Sequence, residues 1–528
     1  MAPRRQRRSR PSPKAPTRAA PSISPHFSWR EKLLLAIGLG LAYAVIGTWG
    51  RLDFSDLMGY YNLQADAFLA GRLHVIPTST LQDLVPFANK YYLQWGPFPA
   101  VLHAAANLFD VVLSDRVACL LAGWLSALVF FEIIITLRRL WFPVASKGLC
   151  VWFVLAFAFG TPSAMLAWYA SIYHESISIA MLLMLASLLF FLRYLEQGIG
   201  WWLVAAGLAA GLSLTTRVTY ALHGGALLAG LCAFQQSRRL PLRRRLRQLA
   251  ALGLPLVACG LLMAAYNQAR FASPLDFGMT HLFGPKAPRM TKLARIPENF
   301  LHYVVSAPHL SSDFPWIIHE GWQPRRATKR ADNMSSLLLA SPFLFLAGIT
   351  AWRLSRRDTS FVPAWVFLGT VALSGGTAFL FLLTFVAAAR RYGQDFLPQF
   401  MILAFAGSCA LPTGTRWRRW RAAAWPVLCF SAFFHLHLAF TASVRATFPD
   451  PNTMKAFVAI GPTLRRLVPG PRLIEAEAMT LNDLGAIAMR QRRFSEALHR
   501  FEQAAALMSE SPRISENLRL ARQLVGSR

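Results

Sequence analysis

The chain has 528 residues, 55% of them hydrophobic and only 15% charged, with a mean hydropathy of +0.37, and apolar runs of roughly 17–28 residues recur along it. Such runs are near the ~20 residues that cross a bilayer as helix, which excludes a soluble globular domain. The formal net charge of +30 does not point to nucleic acid either, because the arginines cluster at the ends of apolar runs, the pattern that orients membrane helices.

In chain order, residues 1–30 form a Pro/Ser/Arg-rich tail, expected to be disordered and cytoplasmic with its arginines near anionic lipid. The first apolar run, Leu33 to Trp49, lacks an Ala-x-Ala-like cleavage site and ends in GTWGR, so it reads as a retained signal anchor. Spans are predicted over 32–50, 117–137, 144–160, 177–193, 199–216, 218–235, 249–266, 335–352, 361–388, 396–411 and 423–443. With these eleven, the basic links Arg138-Arg139, Arg238 to Arg247, Arg353 to Arg357 and Arg416 to Arg421 all fall on the cytoplasmic side. Counting 97–113 as a twelfth would move the first two outside. That segment carries His103, Asn107 and Asp110 on a roughly helical period and reads as an amphipathic helix lying at the outer interface.

The same count places 51–116, 161–176, 267–334, 389–395 and everything after about 444 on the extracytoplasmic side. Residues 267–334, with Asp276, Asp313, His319 and Glu320, are too many for a connector and should fold over the outer surface. The densest chemistry lies in 51–99, where Asp53, Asp56, Asp66 and Asp83 stand among paired tyrosines just after the first span. Nucleotide sugars and ATP are absent on that side, so an enzyme there needs a donor that arrives through the membrane. All six cysteines fall inside apolar runs, and His174-Glu175 lacks the second histidine of a zincin helix; the sequence asks for no disulfide framework, no cofactor and no divalent metal.

After a Pro/Gly-containing linker, 446–474, residues 475–525 become amphipathic and soluble in character. Leu484-Gly485, Ala488, Phe494, Ala497, Phe501 and Ala504 have the spacing of one tetratricopeptide repeat, although the closing proline expected at Ser509 comes only at Pro512. One repeat cannot bury a solenoid core alone, so this module either caps itself with the last helix, docks on the membrane domain (31–445) or holds a protein partner. The expected fold is therefore all-α, a polytopic membrane protein of about 11 transmembrane helices with an extracytoplasmic first loop and a small C-terminal α-hairpin. It should be multi-pass in the inner or plasma membrane, its N-terminus cytoplasmic and its C-terminal module extracytoplasmic.

Four stretches, SDLMGYYNLQADAFLAGRLHV, KYYLQWGPFPAVLHA, AAYNQARFASPLDFG and ARRYGQDFLPQF, carry a resemblance. The pattern looks like the GT-C class of integral-membrane glycosyltransferases, near the protein O-mannosyltransferase and aminoarabinose transferase type of family 39. Such enzymes have an Asp soon after the first span followed by an aromatic and a short helix, an interfacial Pro-containing segment, and a late Arg-Tyr before a proline-bearing helix. Asp56, Tyr60 or Tyr61, Pro97 and Arg391-Tyr392 stand at those places, but the Asp-Glu pair of family 39 is missing, since Leu57 follows Asp56. The resemblance implies a polyprenyl-phosphate sugar as donor and membrane lipid as the other partner.

An inverting transfer needs a base beside the acceptor hydroxyl and a cation beside the departing phosphate. Asp56 is the first candidate for the base; its plain competitor is an N-cap of a helix LMGYYNLQADAFLAG. Asp66 lies almost three turns on, as a second base or acceptor ligand, against a solvated face or a partner for Arg72. Arginine suits the phosphate because its planar fork pairs two oxygens. Arg391, Arg217 and Arg270 stand where positive charge is disfavoured, with snorkelling at the interface as the alternative. Tyr60, Tyr61, His174, Glu175 and Tyr392 are candidates to line the acceptor pocket. Two readings of other classes compete: a lipid-linked glycan transporter or flippase, whose charges line a path through the spans, and a non-catalytic GT-C-like scaffold that recruits partners through its repeat.

Overall fold

The computed structural model describes residues 26–48, 50, 52–55, 59–77, 83–168, 170–283, 289–310, 316–318, 331, 332, 334–355, 362–411, 415–447, 463, 478, 481, 482, 484–486, 488, 489 and 493–526. A reciprocal capping box between Ser28 and Glu31 starts α1 (Trp29–Gly47). Then come α2 (Tyr60–Leu69), strands β1 (Leu84–Phe87) and β2 (Lys90–Leu93), α3 (Phe98–Asn107), α4 (Asp115–Leu140), α5 (Lys147–Phe159), α6 (Ser163–Trp168), α7 (Ile172–Gln197), α8 (Trp201–Thr216), α9 (Ala221–Ser237) and α10 (Leu242–Phe271). The second half has the short α11 (Met279–Phe283), α12 (Ile296–Phe300) and α13 (Leu337–Ala340), then α14 (Leu346–Ser355), α15 (Val362–Thr384), α16 (Leu397–Cys409) and α17 (Thr415–Thr447).

Among the described residues, six helices are long and apolar enough to cross a membrane: Asp115–Leu140, Ile172–Gln197, Val218–Ser237, Leu242–Phe271, Val362–Thr384 and the Ala423–Phe440 part of α17. The shorter apolar helices α5, α8 and α16 pack among them. The protein is thus an all-α, polytopic membrane protein. Two predicted spans differ in detail. α1 opens with Arg30, Glu31 and Lys32, and 335–352 is not one helix: α13 stops at Ser341, Pro342 begins a 3-10 turn, and α14 resumes at Leu346. Proline has no N–H to continue a helical ladder, which accounts for the break.

Close approach of small residues sets the helix contacts. A Cβ on Gly207 of α8 would lie 2.0 Å from the Leu252 carbonyl of α10, and one on Gly230 of α9 would lie 1.9 Å from Thr370 Oγ1 of α15. α10 buries Leu252, Cys259, Met263, Asn267 and Arg270 along one face and leaves Leu254, Val257, Leu261 and Leu262 uncovered on the other, as a helix facing lipid does.

The two ends of the bundle differ chemically. At one end Glu31 pairs with Lys147, Lys32 with Glu132, and Arg139 with Glu196, while Arg353 donates to the Ala410 carbonyl. This end gathers α1's start, the α4–α5 link and the basic α14 terminus. The other end gathers the first loop, the starts of α4, α7 and α16, and the C-termini of α8, α10 and α15. The first loop has a core of its own: Tyr60, Tyr61, Val75, Leu84, Leu93 and Ala100 pack with Ile172 at the start of α7. β1 and β2 pair antiparallel, Leu84 opposite Leu93, across a turn whose residues Ala88 and Asn89 are both left-handed. If the two ends are the two membrane faces, cysteines placed at Asn107 and at Gln236 in a cysteine-free background label from opposite sides. Labelling of both from one side contradicts that arrangement.

At the C-terminus α18 (Phe494–Leu507) and α19 (Pro512–Gly526) pack as a hairpin. Ala488, Ala497, Phe501 and Ala521 form one core, and Ala478, Leu481, Ala504, Met508 and Ile514 a second.

Candidate active site

The site end is organised by three consecutive residues of α7, Tyr173, His174 and Glu175. Glu175 Oε1 lies 2.7 Å from His103 Nε2 of α3, and both side chains are 1% exposed. The other ring nitrogen, Nδ1, lies 2.7 Å from Asn62 Oδ1 of α2, so one imidazole ties α2, α3 and α7 together. On the same helix turn the Tyr173 ring lies 4.9 Å from the Arg391 guanidinium and 5.1 Å from the Trp95 ring. His174 is buried, its Nδ1 2.5 Å from Ser171 Oγ, rather than presented to an acceptor.

The late arginines sit on a 3-10 turn, Arg390–Asp395, that joins α15 to α16. Arg391 is half-buried between the rings of Tyr173 and Tyr392, 4.9 and 5.2 Å from their centroids. Arg217, at the end of α8, is 5.1 Å from the same Tyr392 ring. Its fork is held by Asp395: Nε is 3.1 and 3.2 Å from the two carboxylate oxygens and Nη2 is 3.1 Å from Oδ2. Thr219 adds a hydrogen bond to Asp395, Ser163 one to Gln394, and the Tyr220 hydroxyl one to the Gln394 carbonyl. Arg390 points elsewhere. It is 1% exposed, donates to Ser335 and lies over the Phe434 ring, and burial lowers its pKa to about 9. It is a packed residue, not a simple flanking charge.

Arg270 is 2% exposed, donates to the Leu93 carbonyl and to Asn267, and is stacked on Tyr266 at 3.9 Å. Its guanidinium fastens the β1–β2 hairpin to the end of α10. Gln64 of α2 donates to the Tyr266 hydroxyl and secures the other flank. A Cβ on Gly96, just before α3, would lie 1.9 Å from the Thr215 carbonyl, so only glycine lets the first loop seat on the end of α8 beside Arg217.

Asp56 lies outside the described residues. The helix α2 begins later than the sequence suggests, with Gly59, left-handed at φ 63°, at its N-cap. The neighbours of Asp56 are pinned to the start of α4, with Arg116 donating to the Asp53 carbonyl, Ser114 to the Phe54 carbonyl, and the Gly59 N–H to Asp115. Asp66 is exposed and accepts from Asn107 at 3.5 Å rather than from Arg72. Tyr60 and Tyr61 are buried in the first-loop core. Burial, with the Glu175 charge second, pushes the Tyr61 phenol well above its usual pKa and keeps it a neutral hydroxyl. His319 and Glu320 also lie outside the described residues.

Two positions of the candidate site escaped the sequence. His103 reads from the sequence as part of the polar stripe of an interfacial helix; it is buried against the protein, while Asn107 is half-buried and Asp110, past the end of α3, is exposed. Asp395 gave no local signal, since its partner Arg217 lies 178 residues away. No protein-family model matches the chain, and no curated protein matches it. Among solved structures it is similar to the oligosaccharyltransferase of Archaeoglobus fulgidus in the apo form, at 14% identity and a TM-score of 0.45, over 89% of this chain and 59% of that one. It is also similar to ArnT from Cupriavidus metallidurans in the apo state, at 17% identity and a TM-score of 0.43, over 94% of this chain and 77% of that one. A third is AglB from A. fulgidus in complex with an inhibitory peptide and a dolichol-phosphate, at 12% identity and a TM-score of 0.40, over 82% of this chain and 60% of that one. The chain thus spans less than two thirds of the oligosaccharyltransferase structures.

Proposed function

We propose that the protein is a membrane glycosyltransferase that moves a sugar from a polyprenyl-phosphate carrier to an extracytoplasmic acceptor. One observation carries this: α7 residues 173–175 join an arginine stack, Arg391–Tyr392–Arg217, to a carboxylate-bearing first loop at one end of the bundle. A phosphate monoester or diester leaving group needs a cation that stays charged near lipid, and arginine does so with directed donors. Of the three candidates Arg391 is taken as the phosphate ligand because it lies against Tyr173 and Tyr392, where α7 meets the first loop. Asp56, or Asp66 in its stead, acts as base toward the acceptor hydroxyl, inverting the sugar carbon. The His103–Glu175 pair holds the loop that carries both.

The transporter reading asks for ionised groups along the spans. Among the described residues of the helix bundle the ion pairs lie instead at the two ends, which favours chemistry at one face over passage. The C-terminal module is proposed as a tetratricopeptide-like helical unit, self-capped by α19, with the outer face of its hairpin free for a protein partner. Lipid-linked sugar and glycoprotein profiling of a deletion strain tests the function: a donor lipid should accumulate and one class of glycoconjugate disappear. Unchanged profiles would remove the enzyme reading.

A further inference from the structure

Inside the bundle, beyond the residues used above, a buried histidine is wired to the donor turn. His223 of α9, Ser187 of α7, Ser374 of α15 and Gln399 of α16 are each at most 2% exposed. The Ser187 hydroxyl lies 2.6 Å from the Met184 carbonyl and 2.6 Å from His223 Nε2. Its single hydrogen goes to the carbonyl, so its oxygen accepts from the ring and Nε2 carries the proton. A neutral ring then offers Nδ1 as an acceptor, and Ser374 Oγ, 2.8 Å away, donates to it. Ser374 Oγ accepts in turn from Gln399 Nε2 at 3.3 Å, and the second Nε2 hydrogen is given to the Asp395 carbonyl at 3.2 Å.

The hydrogen bonds therefore run in one sense, from Gln399 through Ser374 and His223 to Met184, without a clash of donors or acceptors. They link four helices where lipid tails offer no alternative partner. Their far end is Asp395, whose carboxylate holds Arg217 under the Tyr392 ring that Arg391 shares. An apolar residue at 223 would pack these helices as well. What it could not do is direct Ser374 and Gln399 toward the Asp395 backbone.

We propose that His223 is a positioning residue of the donor site: through Ser374 and Gln399 it fixes Asp395, and with it the Arg217–Tyr392–Arg391 stack. This rests on the reading of that stack as the phosphate site. The test is titration of the full chain in nanodiscs with undecaprenyl phosphate, followed by tryptophan fluorescence, for His223→Leu, His223→Gln, Gln399→Met, the Leu/Met double variant and Asp395→Asn. His223→Leu and Gln399→Met should each weaken binding about tenfold, the energy of one buried hydrogen-bond link, and the double variant should be no weaker than either single. His223→Gln, whose amide can donate at one atom and accept at the other, should stay within about threefold of wild type. If His223→Leu binds normally while Asp395→Asn is weakened, this inference falls and the phosphate reading stands. Equal weakening by Leu and Gln, or additive losses in the double variant, would make His223 a packing residue and overturn the proposal. Normal binding by every variant, Asp395→Asn included, overturns the phosphate reading and this inference with it. Should His223→Leu not fold, Gln399→Met and His223→Gln carry the comparison alone.

Discussion

Asp56→Asn should leave expression and unfolding unchanged and lower transfer by roughly 10²–10⁴-fold, the range for loss of a general base. The backbone on either side is held by Ser114, Asp115 and Arg116, so exchanging this one side chain should leave the loop in place. The amide keeps the size and loses only the basic oxygen, so a fall in turnover at constant stability reports chemistry. The measurement is turnover of purified variant in lipid alongside its thermal unfolding. Near wild-type turnover moves the base to Asp66 or ends the enzyme reading.

Glu175→Ala should destabilise the protein by about 1–3 kcal/mol, the cost of leaving one partner of a buried hydrogen bond unsatisfied. Both Glu175 and His103 are 1% exposed, so the truncation leaves His103 Nε2 buried without the carboxylate it faced. His103 also binds Asn62, and the loss should spread through α2 and α3 as faster hydrogen exchange over residues 59–107. Glu175→Gln keeps an acceptor at Oε1 and should lose less. Denaturant unfolding in detergent distinguishes the cases; an alanine variant as stable as wild type would mean that the pair does not hold the loop.

Much of the architecture was legible because the forces that set it act locally. Runs of apolar residues and the arginines that bound them mark the helices and separate the two ends, and Arg391 stood out as a cation left on the wrong side of that pattern. Pro342 was visible too, yet hydropathy summed over a window passes through it. The site was less legible because its contacts are long-range. A helical period suggests that His103, Asn107 and Asp110 share a stripe, but not which of them meets protein; for His103 that is decided by Glu175, 72 residues on. The Arg217–Asp395 and His223–Ser374 pairs likewise join helices far apart in the chain, and no local pattern announces them.

The central claim, that the 390–395 turn holds a lipid-linked phosphate, is tested most directly by titrating purified protein in lipid with undecaprenyl phosphate and comparing wild type, Arg391→Lys and Arg353→Lys. Arg353 is an exposed cation at the opposite end of the bundle, bonded to the Ala410 carbonyl. Lysine keeps the charge but loses the planar fork and its stacking between Tyr173 and Tyr392. Loss of such a charge-assisted contact is worth about 1.5–3 kcal/mol, or roughly 10- to 150-fold in affinity, so Arg391→Lys should bind correspondingly more weakly while Arg353→Lys binds as wild type. Equal affinities for all three proteins would contradict the account and leave Arg391 as a flanking charge.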